Sequence, residues 1–555
     1  MHQIENPAED GWPPLRVTEL RRRVFRKKTL LPVFTVLMLA VLGGCASLPP
    51  GSDYPKVESH SLSDPDATAL GRRFAGASHA NADKSAFRIF NVGVDGFLMR
   101  LEMIDAAERS LDLEYYIFRG DESGRLLTNA LVRAADRGVR VRVLVDDGET
   151  VPGDEQLLRI SGHAAIEIRV FNPWAYRGHS PLRRDAEFVL RHSRLDYRMH
   201  NTMLIADGAV ALVGGRNVGD QYFQIDPDSQ FADDDLFAGG PIVHTLSTEF
   251  DEFWNSTLAI PAKALVPHKT PDPEAPRRVR NAAHAPKMVK AGLNHSEKLA
   301  TGEPFAGILS GLSPLIWADA EPVYDSPDKK RVVTGTGAGS QLYEPVANAM
   351  RQAQSELLLI TPYFIPTEDE VRLVEARRAQ GVRVRILTNS LESAPDLAAH
   401  SGYKHYRVQL LREGVEFNEV RSLLGDTRGS GQSAQLSRYG NYALHAKLLV
   451  VDRKTLFIGS MNFDQRSQRL NTETGLIIHD PGLSQQTAAR FEAMTRQENS
   501  YSVLLRPGEP RGSSRLIWRT IEGGTPVDYH SEPTRGSWQK FKVWLFSLLP
   551  LDSEL

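Results

Sequence analysis

LHAKLLVVDRKTLFIGSMN (444–462) is the stretch on which the fold turns, because MHNTMLIADGAVALVGGRN (199–217) repeats its layout 245 residues earlier. Each copy places a histidine just before an apolar run of strand length. A turn at Ala206-Asp207-Gly208 or Val451-Asp452-Arg453 interrupts that run, and a second apolar run follows. Working outward, the pentapeptide GVRVR occurs at 138–142 and again at 381–385, 243 residues apart, and continues as VLVDD (143–147) and ILTNS (386–390). Further upstream, SLDLEYYIF (110–118) and SELLLITPYFI (355–365) are strand-length apolar runs, each preceded by an amphipathic helical pattern, about 95–109 and 341–354. Three matched blocks in one order at nearly one spacing mark a duplicated domain, and the period is far too long for a solenoid. The order helix–strand–helix–strand, then a two-strand unit, predicts an α/β fold with two tandem domains, each a mixed sheet flanked by helices.

The chemistry concentrates in the same blocks. On a strand, side chains two apart share a face, so His445 and Lys447 present an imidazole and a cation together. The pattern continues through Asp452, Gly459, Ser460 and Asn462. An imidazole can serve as a nucleophile and an adjacent ammonium can neutralise a phosphate oxygen. In the first copy His200, Asp207, Gly214 and Asn217 fall in register, Gly215 stands where Ser460 does, and Thr202 occupies the lysine position. Each imidazole also needs a carboxylate to fix its tautomer. In the second half Glu473 fits that role, and in the first half the run Asp233-Asp234-Asp235 offers Asp233 or Asp235, with Asp233 favoured by its spacing to Pro241. Asp207 and Asp452, at turn positions, are open to either a catalytic or a structural role.

With these residues the chain resembles the phospholipase D superfamily, whose signature is two H-x-K-x4-D motifs meeting at one shared site. Within it the bacterial cardiolipin synthases, of the class C type, are most similar. The likeness runs through most of residues 90–550 and includes LEYYIFRGDESGRLL (113–127), RLDYRMHN (194–201), GGRNVGDQYF (214–223), LTNSLESAPDLAAHSGY (387–403) and IGSMNFDQRSQRLNTETG (458–475). It implies pseudo-two-fold symmetry and a phosphatidyltransferase working through a phosphohistidine, with no metal or other cofactor. By the resemblance His200 is the nucleophile and His445 the acid and base, two roles that near symmetry makes interchangeable. Lys447, Asn217, Asn462 and Thr202 would face the phosphate. Replacing the first lysine by Thr202 gives up a charge-assisted bond worth about 1.5–3 kcal/mol, roughly 10- to 100-fold in rate. Arg198 and Arg216 are the nearest cations in sequence that could substitute.

Composition bounds the alternatives. The 555 residues carry 66 Lys+Arg and 69 Asp+Glu, a net charge of −3, so no global basic excess is available to hold nucleic acid. One cysteine excludes an intrachain disulfide and a cysteine-based metal cluster. That cysteine, Cys45, closes LGGC (42–45) after a basic flank at 21–28 and sixteen uncharged residues, TLLPVFTVLMLAVLGG (29–44). About 24 Å of helix is short for a ~30 Å hydrocarbon core, and the arrangement reads as a secretory leader. It resembles a lipoprotein signal, which implies lipidation of Cys45 and a periplasm-facing attachment to the bacterial envelope, with a retained helical anchor as the alternative.

The expected divisions are a leader at 1–44, a tether at 45–85, the first domain at 86–260, a Pro-rich linker or insert at 261–335, and the second domain at 336–555. The loop GDTRGSGQSAQLSRYGN (425–441), running into the second motif, is a candidate lid or substrate-binding segment. The segment WQKFKVWLFSLLPL (538–551) is amphipathic and too short to span a bilayer, leaving packing on its own domain or an interfacial position. Tyr115 and Tyr116 read as core, and Tyr363 in TPYFIP (361–366) as site-lining. The expected partners are phospholipids and a membrane: phosphatidylglycerol as acceptor, with phosphatidylglycerol, phosphatidylethanolamine or CDP-diacylglycerol as donor. A phospholipase D-type hydrolase using water, and a non-catalytic lipid-binding envelope protein, are the competing readings.

Overall fold

The computed structural model describes residues 50–148, 160–178, 180–226, 229–265, 304–425, 442–506 and 516–548. The leader, Cys45, most of the loop 425–441 and the segment 549–555 lie outside the described residues.

The first half is built on strands β1 (Ser85–Phe90), β2 (Ser110–Tyr115), β3 (Arg140–Asp146), β4 (Ile166–Phe171), β5 (Thr202–Ala206), β6 (Val210–Gly214), β7 (Gln230–Ala232), β8 (Asp235–Gly239) and β9 (Ala259–Pro261). Its helices include α1 (Ala69–Ala80), α2 (Gly93–Ala106), α3 (Glu122–Asp136), α4 (Pro181–Leu190) and α5 (Ile242–Asn255). β2, β3 and β4 run parallel, as their helical crossover requires, while β5, β6, β8 and β1 continue the sheet antiparallel. Beyond them lies β10 (Ile316–Tyr324).

The second half repeats the arrangement with β11 (Glu356–Ile360), β12 (Phe364–Ile365), β13 (Arg383–Asn389), β14 (Glu416–Val420), β15 (Tyr442–Leu444), β16 (Leu448–Val451), β17 (Thr455–Gly459), β18 (Phe463–Asp464), β19 (Thr474–His479), β20 (Ser500–Leu505), β21 (Leu516–Glu522) and β22 (Thr525–Tyr529). With it come α6 (Tyr343–Arg351), α7 (Glu368–Ala379), α8 (Leu397–Arg412), α9 (Gln465–Arg469), α10 (Pro481–Met494) and α11 (Ser537–Phe546). The repeated GVRVR has a local cause in both halves. Gly138 (φ +93°) and Gly381 (φ +85°) adopt the left-handed conformation that ends α3 and α7, so the valine that follows can start the next strand.

Alternation along the strands sorts the core into three layers. Leu111, Leu113, Val141 and Val143 pack outward against α2 and α3, and Leu357, Leu359, Val384 and Ile386 do so against α6 and α7. The opposite parity, Met203, Ile205, Leu448 and Val450 among others, faces inward. There α5 and α10 join both halves in one apolar core, with Phe250, Trp254, Leu483 and Phe491 buried.

Two expected boundaries need correction. The described part of the 45–85 tether, from residue 50, is anchored: Lys56 donates to the carbonyls of Ser256 and Ala259, and Ser59 and Ser61 donate backbone N–H groups to Asn255 and Asp251. Behind them α1 buries Leu70 and Phe74, the latter against Phe237. The 261–335 linker contains β10, the longest strand of the sheet system. Residues 316–318 pair with β1 and residues 319–324 with β19, which unites both sheets into one of eighteen strands.

Candidate active site

The two motif histidines precede β5 and β16, whose first residues lie beside the C-terminal ends of β2 and β11. There the halves exchange backbone hydrogen bonds. His200 N donates to Thr472 O (2.9 Å), Thr472 N to Arg198 O (3.0 Å), and His445 N to Ala232 O (2.7 Å). β15 and β7 form a short parallel pair across the same seam, Leu444 opposite Ala232.

The carboxylates cross this seam too. His200 Nδ1 is 2.9 Å from Glu473 Oε2, and His445 Nδ1 is 2.6 Å from Asp233 Oδ2. The sequence assigned one carboxylate to each half; the structure exchanges them, so each imidazole is oriented by the opposite half. Glu473 and Asp233 are fully buried, whereas His200 and His445 keep 8% and 7% exposure. A carboxylate accepts, so each ring carries its proton on Nδ1 and keeps Nε2 as its unprotonated nitrogen. Ser460 Oγ donates to Glu473 Oε2 (2.5 Å), a bond that Gly215 cannot make to Asp233. A side chain on Gly215 would also collide with Asp233 and Lys447.

Lys447 Nζ lies 2.8 and 3.2 Å from the two ring nitrogens of His445 and donates to its carbonyl oxygen. Burial pulls Lys447 down to about 8, against the attraction of Asp233, Glu473 and Asp464. Burial and the Lys447 charge push His445 down to about 4, outweighing Asp233, so its imidazole is neutral at neutral pH. Despite burial, Asp233 is held below its ordinary range by His445, Lys447 and Arg216.

Other predicted residues separate from this cluster. Thr202 Oγ1 donates to the Gly214 carbonyl, so its proton is committed to the β5–β6 hairpin rather than offered to a phosphate. Neither arginine takes over: Arg198 binds Asp146 and Asn172 O, and Arg216 binds Asp235 and three backbone carbonyls. Asp207 and Asp452 sit at the far ends of their hairpins, about five strand residues or ~17 Å from the histidines. Asp207 accepts from the backbone N–H groups of Glu108, Arg109 and Ser110, and Asp452 from those of Gln354, Ser355 and Glu356. A catalytic contact for either is therefore corrected to a turn-fixing one. Asp235 is paired with Arg100 and Arg216. Asn217 Oδ1 accepts from Ile117 N, and Asn462, at the base of the site, has an Oδ1 with no partner among the described residues.

Aromatic walls were missed. Tyr116, read as core, packs edge-on to His200 at 4.9 Å, whereas Tyr115 is core and bonds Arg100. Phe231 stacks on His445 (5.3 Å, 11°) with Tyr222 edge-on to the same ring. Tyr363 lies between β11 and β12, where burial and then the Asp396 charge hold its hydroxyl above the ordinary tyrosine range. Asp464 caps α9 through Ser467 N and is raised to about 6 by burial, with Glu473 adding to the shift. Two tyrosines in succession, Tyr115-Tyr116 on either side of the strand end, are the signal that one of them leaves the core.

The family model for the PLD-like domain of cardiolipin synthase matches residues 101–254 and 346–495. Cardiolipin synthase C of Escherichia coli (strain K12) is 35% identical over 473 residues, covering 83% of this chain and 94% of that protein. The major cardiolipin synthase of Bacillus subtilis (strain 168) is 26% identical over 401 residues, covering 72% and 67%. Among solved structures, the phosphatidylserine synthase of Haemophilus influenzae Rd KW20 aligns with 77% of this chain and 91% of its own, at 13% identity and a TM-score of 0.49.

Proposed function

Since the chain belongs to the cardiolipin synthase family of phospholipase D-like proteins, we propose that it transfers a phosphatidyl group from a phospholipid donor to phosphatidylglycerol, forming cardiolipin. The observation that carries this reading is the crossed pair His200–Glu473 and His445–Asp233, two oriented imidazoles at the seam between the halves.

In the first step His200 Nε2 attacks phosphorus in line. The P–N bond forms, the P–O bond to the donor alcohol breaks, and His445 gives its proton to the departing oxygen. The proton reaches His445 Nε2 from Lys447, whose ammonium lies 3.2 Å from that nitrogen. In the second step His445 Nε2 takes the proton of the phosphatidylglycerol hydroxyl, whose oxygen attacks phosphorus as the P–N bond breaks, and the proton passes back to Lys447 to restore its ammonium. Lys447 supplies the single cation of the motif pair, which agrees with a threonine already committed to a carbonyl. We place this chemistry at the bacterial envelope, on the strength of the LGGC sequence at 42–45.

The test is lipid mass spectrometry on the purified chain in mixed micelles of phosphatidylglycerol and phosphatidylethanolamine, with and without CDP-diacylglycerol. Cardiolipin that disappears in His200→Ala and in His445→Ala is the expected result, and the donor consumed identifies the branch. Phosphatidic acid as the sole product would replace the transferase by a hydrolase. Absence of any product would favour a lipid-binding protein, and recovery of product in Thr202→Lys would reverse that conclusion.

A further inference from the structure

Most of the exposed large apolar side chains among the described residues lie on two helices, α11 with the residues just past it and α4. Helix α11 turns Trp538 (65% exposed), Phe541, Trp544 and Leu545 to solvent, and Leu548 extends the stripe. Positions 538, 541, 545 and 548 share one helical face, while Val543 on the other side is buried. Arg535, Lys540 and Lys542 are exposed around this face, and no acidic residue occurs between 533 and 548.

This helix rides on the rim of the site. Gln539 Nε2 donates to Leu391 O (2.6 Å) in the loop after β13, and two residues earlier Asn389 Nδ2 donates to Leu444 O (2.9 Å), next to His445. The first half carries a counterpart in α4, which buries none of its residues and exposes Leu182 (81%), Val189 and Leu190 on one face. Phe188 of α4 stacks on Trp174, whose backbone N–H donates to Asp147 (2.7 Å) just past β3. The preceding Asp146 accepts from Met199 N, next to His200 (2.9 Å). Leu423, just past β14, is exposed at the same strand ends.

We propose that this end of the molecule docks on an anionic lipid bilayer, with α11 and α4 lying in the interface on either side of the cleft. Tryptophan, phenylalanine and leucine on one face with lysines at its edges is the composition of a helix lying in a headgroup layer. The basic flanks of α11 match phosphatidylglycerol rather than a neutral surface. The inference rests on the lipid-substrate reading above: the cleft is pressed against the layer that holds the phosphodiester, so the headgroup reaches the histidines without the chains leaving the bilayer.

The test uses the full chain with vesicles of phosphatidylethanolamine and phosphatidylglycerol carrying brominated acyl chains, against brominated phosphatidylcholine. Tryptophan fluorescence is expected to be quenched on the anionic vesicles, and most of the quenched component is expected to vanish in W538F/W544F. The variant W538S/F541S/W544S, and separately L182S/V189S, should lose roughly tenfold or more of turnover on vesicles, with turnover of dissolved short-chain phosphatidylglycerol unchanged. Unquenched fluorescence, or quenching that W538F/W544F leaves intact, would overturn the proposal. So would equal loss on both substrates, which would mark the face as merely structural, and equal quenching on phosphatidylcholine, which would remove its anionic preference. Quenching from Trp538 and Trp544 in a chain that turns over neither substrate would leave the docking surface standing and remove the transferase.

Discussion

Lys447 and His445 hold one proton between them in a buried pocket, and that fixes a pH dependence. With Lys447 down at about 8, its ammonium is present below that value and lost above it. The turnover rate is therefore expected to fall as pH rises through about 8, and Lys447→Arg, which stays charged, should abolish this alkaline limb while lowering the rate. A rate that holds through this range in the parent chain would remove Lys447 as the proton source. Thr202→Lys should change turnover little, because the pocket is already served from the other half; a strong gain there with Lys447→Ala unaffected would contradict the single-cation reading. The crossed pairing makes its own prediction. Glu473→Gln should shift the ring nitrogen resonances of His200, and Asp233→Asn those of His445, in spectra of 15N-histidine-labelled protein, each with a rate loss of roughly 100-fold or more. The histidines and the lysine were legible in the sequence because a two-residue spacing on a strand dictates a shared face. Which carboxylate serves which ring was not, because linear order does not say what a two-fold axis brings together.

At the scale of elements, the β5–β6 and β16–β17 hairpins show why the motif aspartates are needed without touching substrate. Asp207 (φ +54°) and Asp452 (φ +51°) take the left-handed conformation that asparagine and aspartate tolerate, and each carboxylate gathers three backbone N–H groups from the turn that leads into the strand alongside and that strand's first residue. Asp207→Ala should lower stability by about 2–3 kcal/mol in urea unfolding, with little change in the rate per folded molecule. A variant as stable as the parent yet inactive would return Asp207 to the reaction. The elements that escaped sequence reading did so for physical reasons. IWADAEPVY (316–324) carries Pro322, which removes a ladder donor and argues against a strand, yet the structure seats it in β10 opposite Leu476. The 56–61 segment lacks any periodicity because it is held by side chains of α5 and by carbonyls just past that helix rather than by its own pattern.

At the scale of the molecule, the duplication was readable from three matched blocks, whereas the intimacy of the halves was not. Their inner sheet faces, α5 and α10 form one apolar core, β10 belongs to both sheets, and each histidine depends on the opposite half for its carboxylate. One unfolding transition seen alike by circular dichroism and by loss of turnover is the expected behaviour; two resolved transitions would mean that the halves fold as separate units. The central claim is that a phosphatidyl group passes through His200 at this shared seam. Its most direct measurement is a single turnover with phosphorus-labelled donor lipid in His445→Asn, where protonation and deprotonation are slowed, quenched in denaturant at alkaline pH, which preserves a P–N bond, and followed by peptide mapping at alkaline pH. Label on the peptide containing His200, absent when His200→Asn is added, is the predicted result. Product formed with no label on any histidine peptide would contradict it and point to direct displacement without a covalent intermediate.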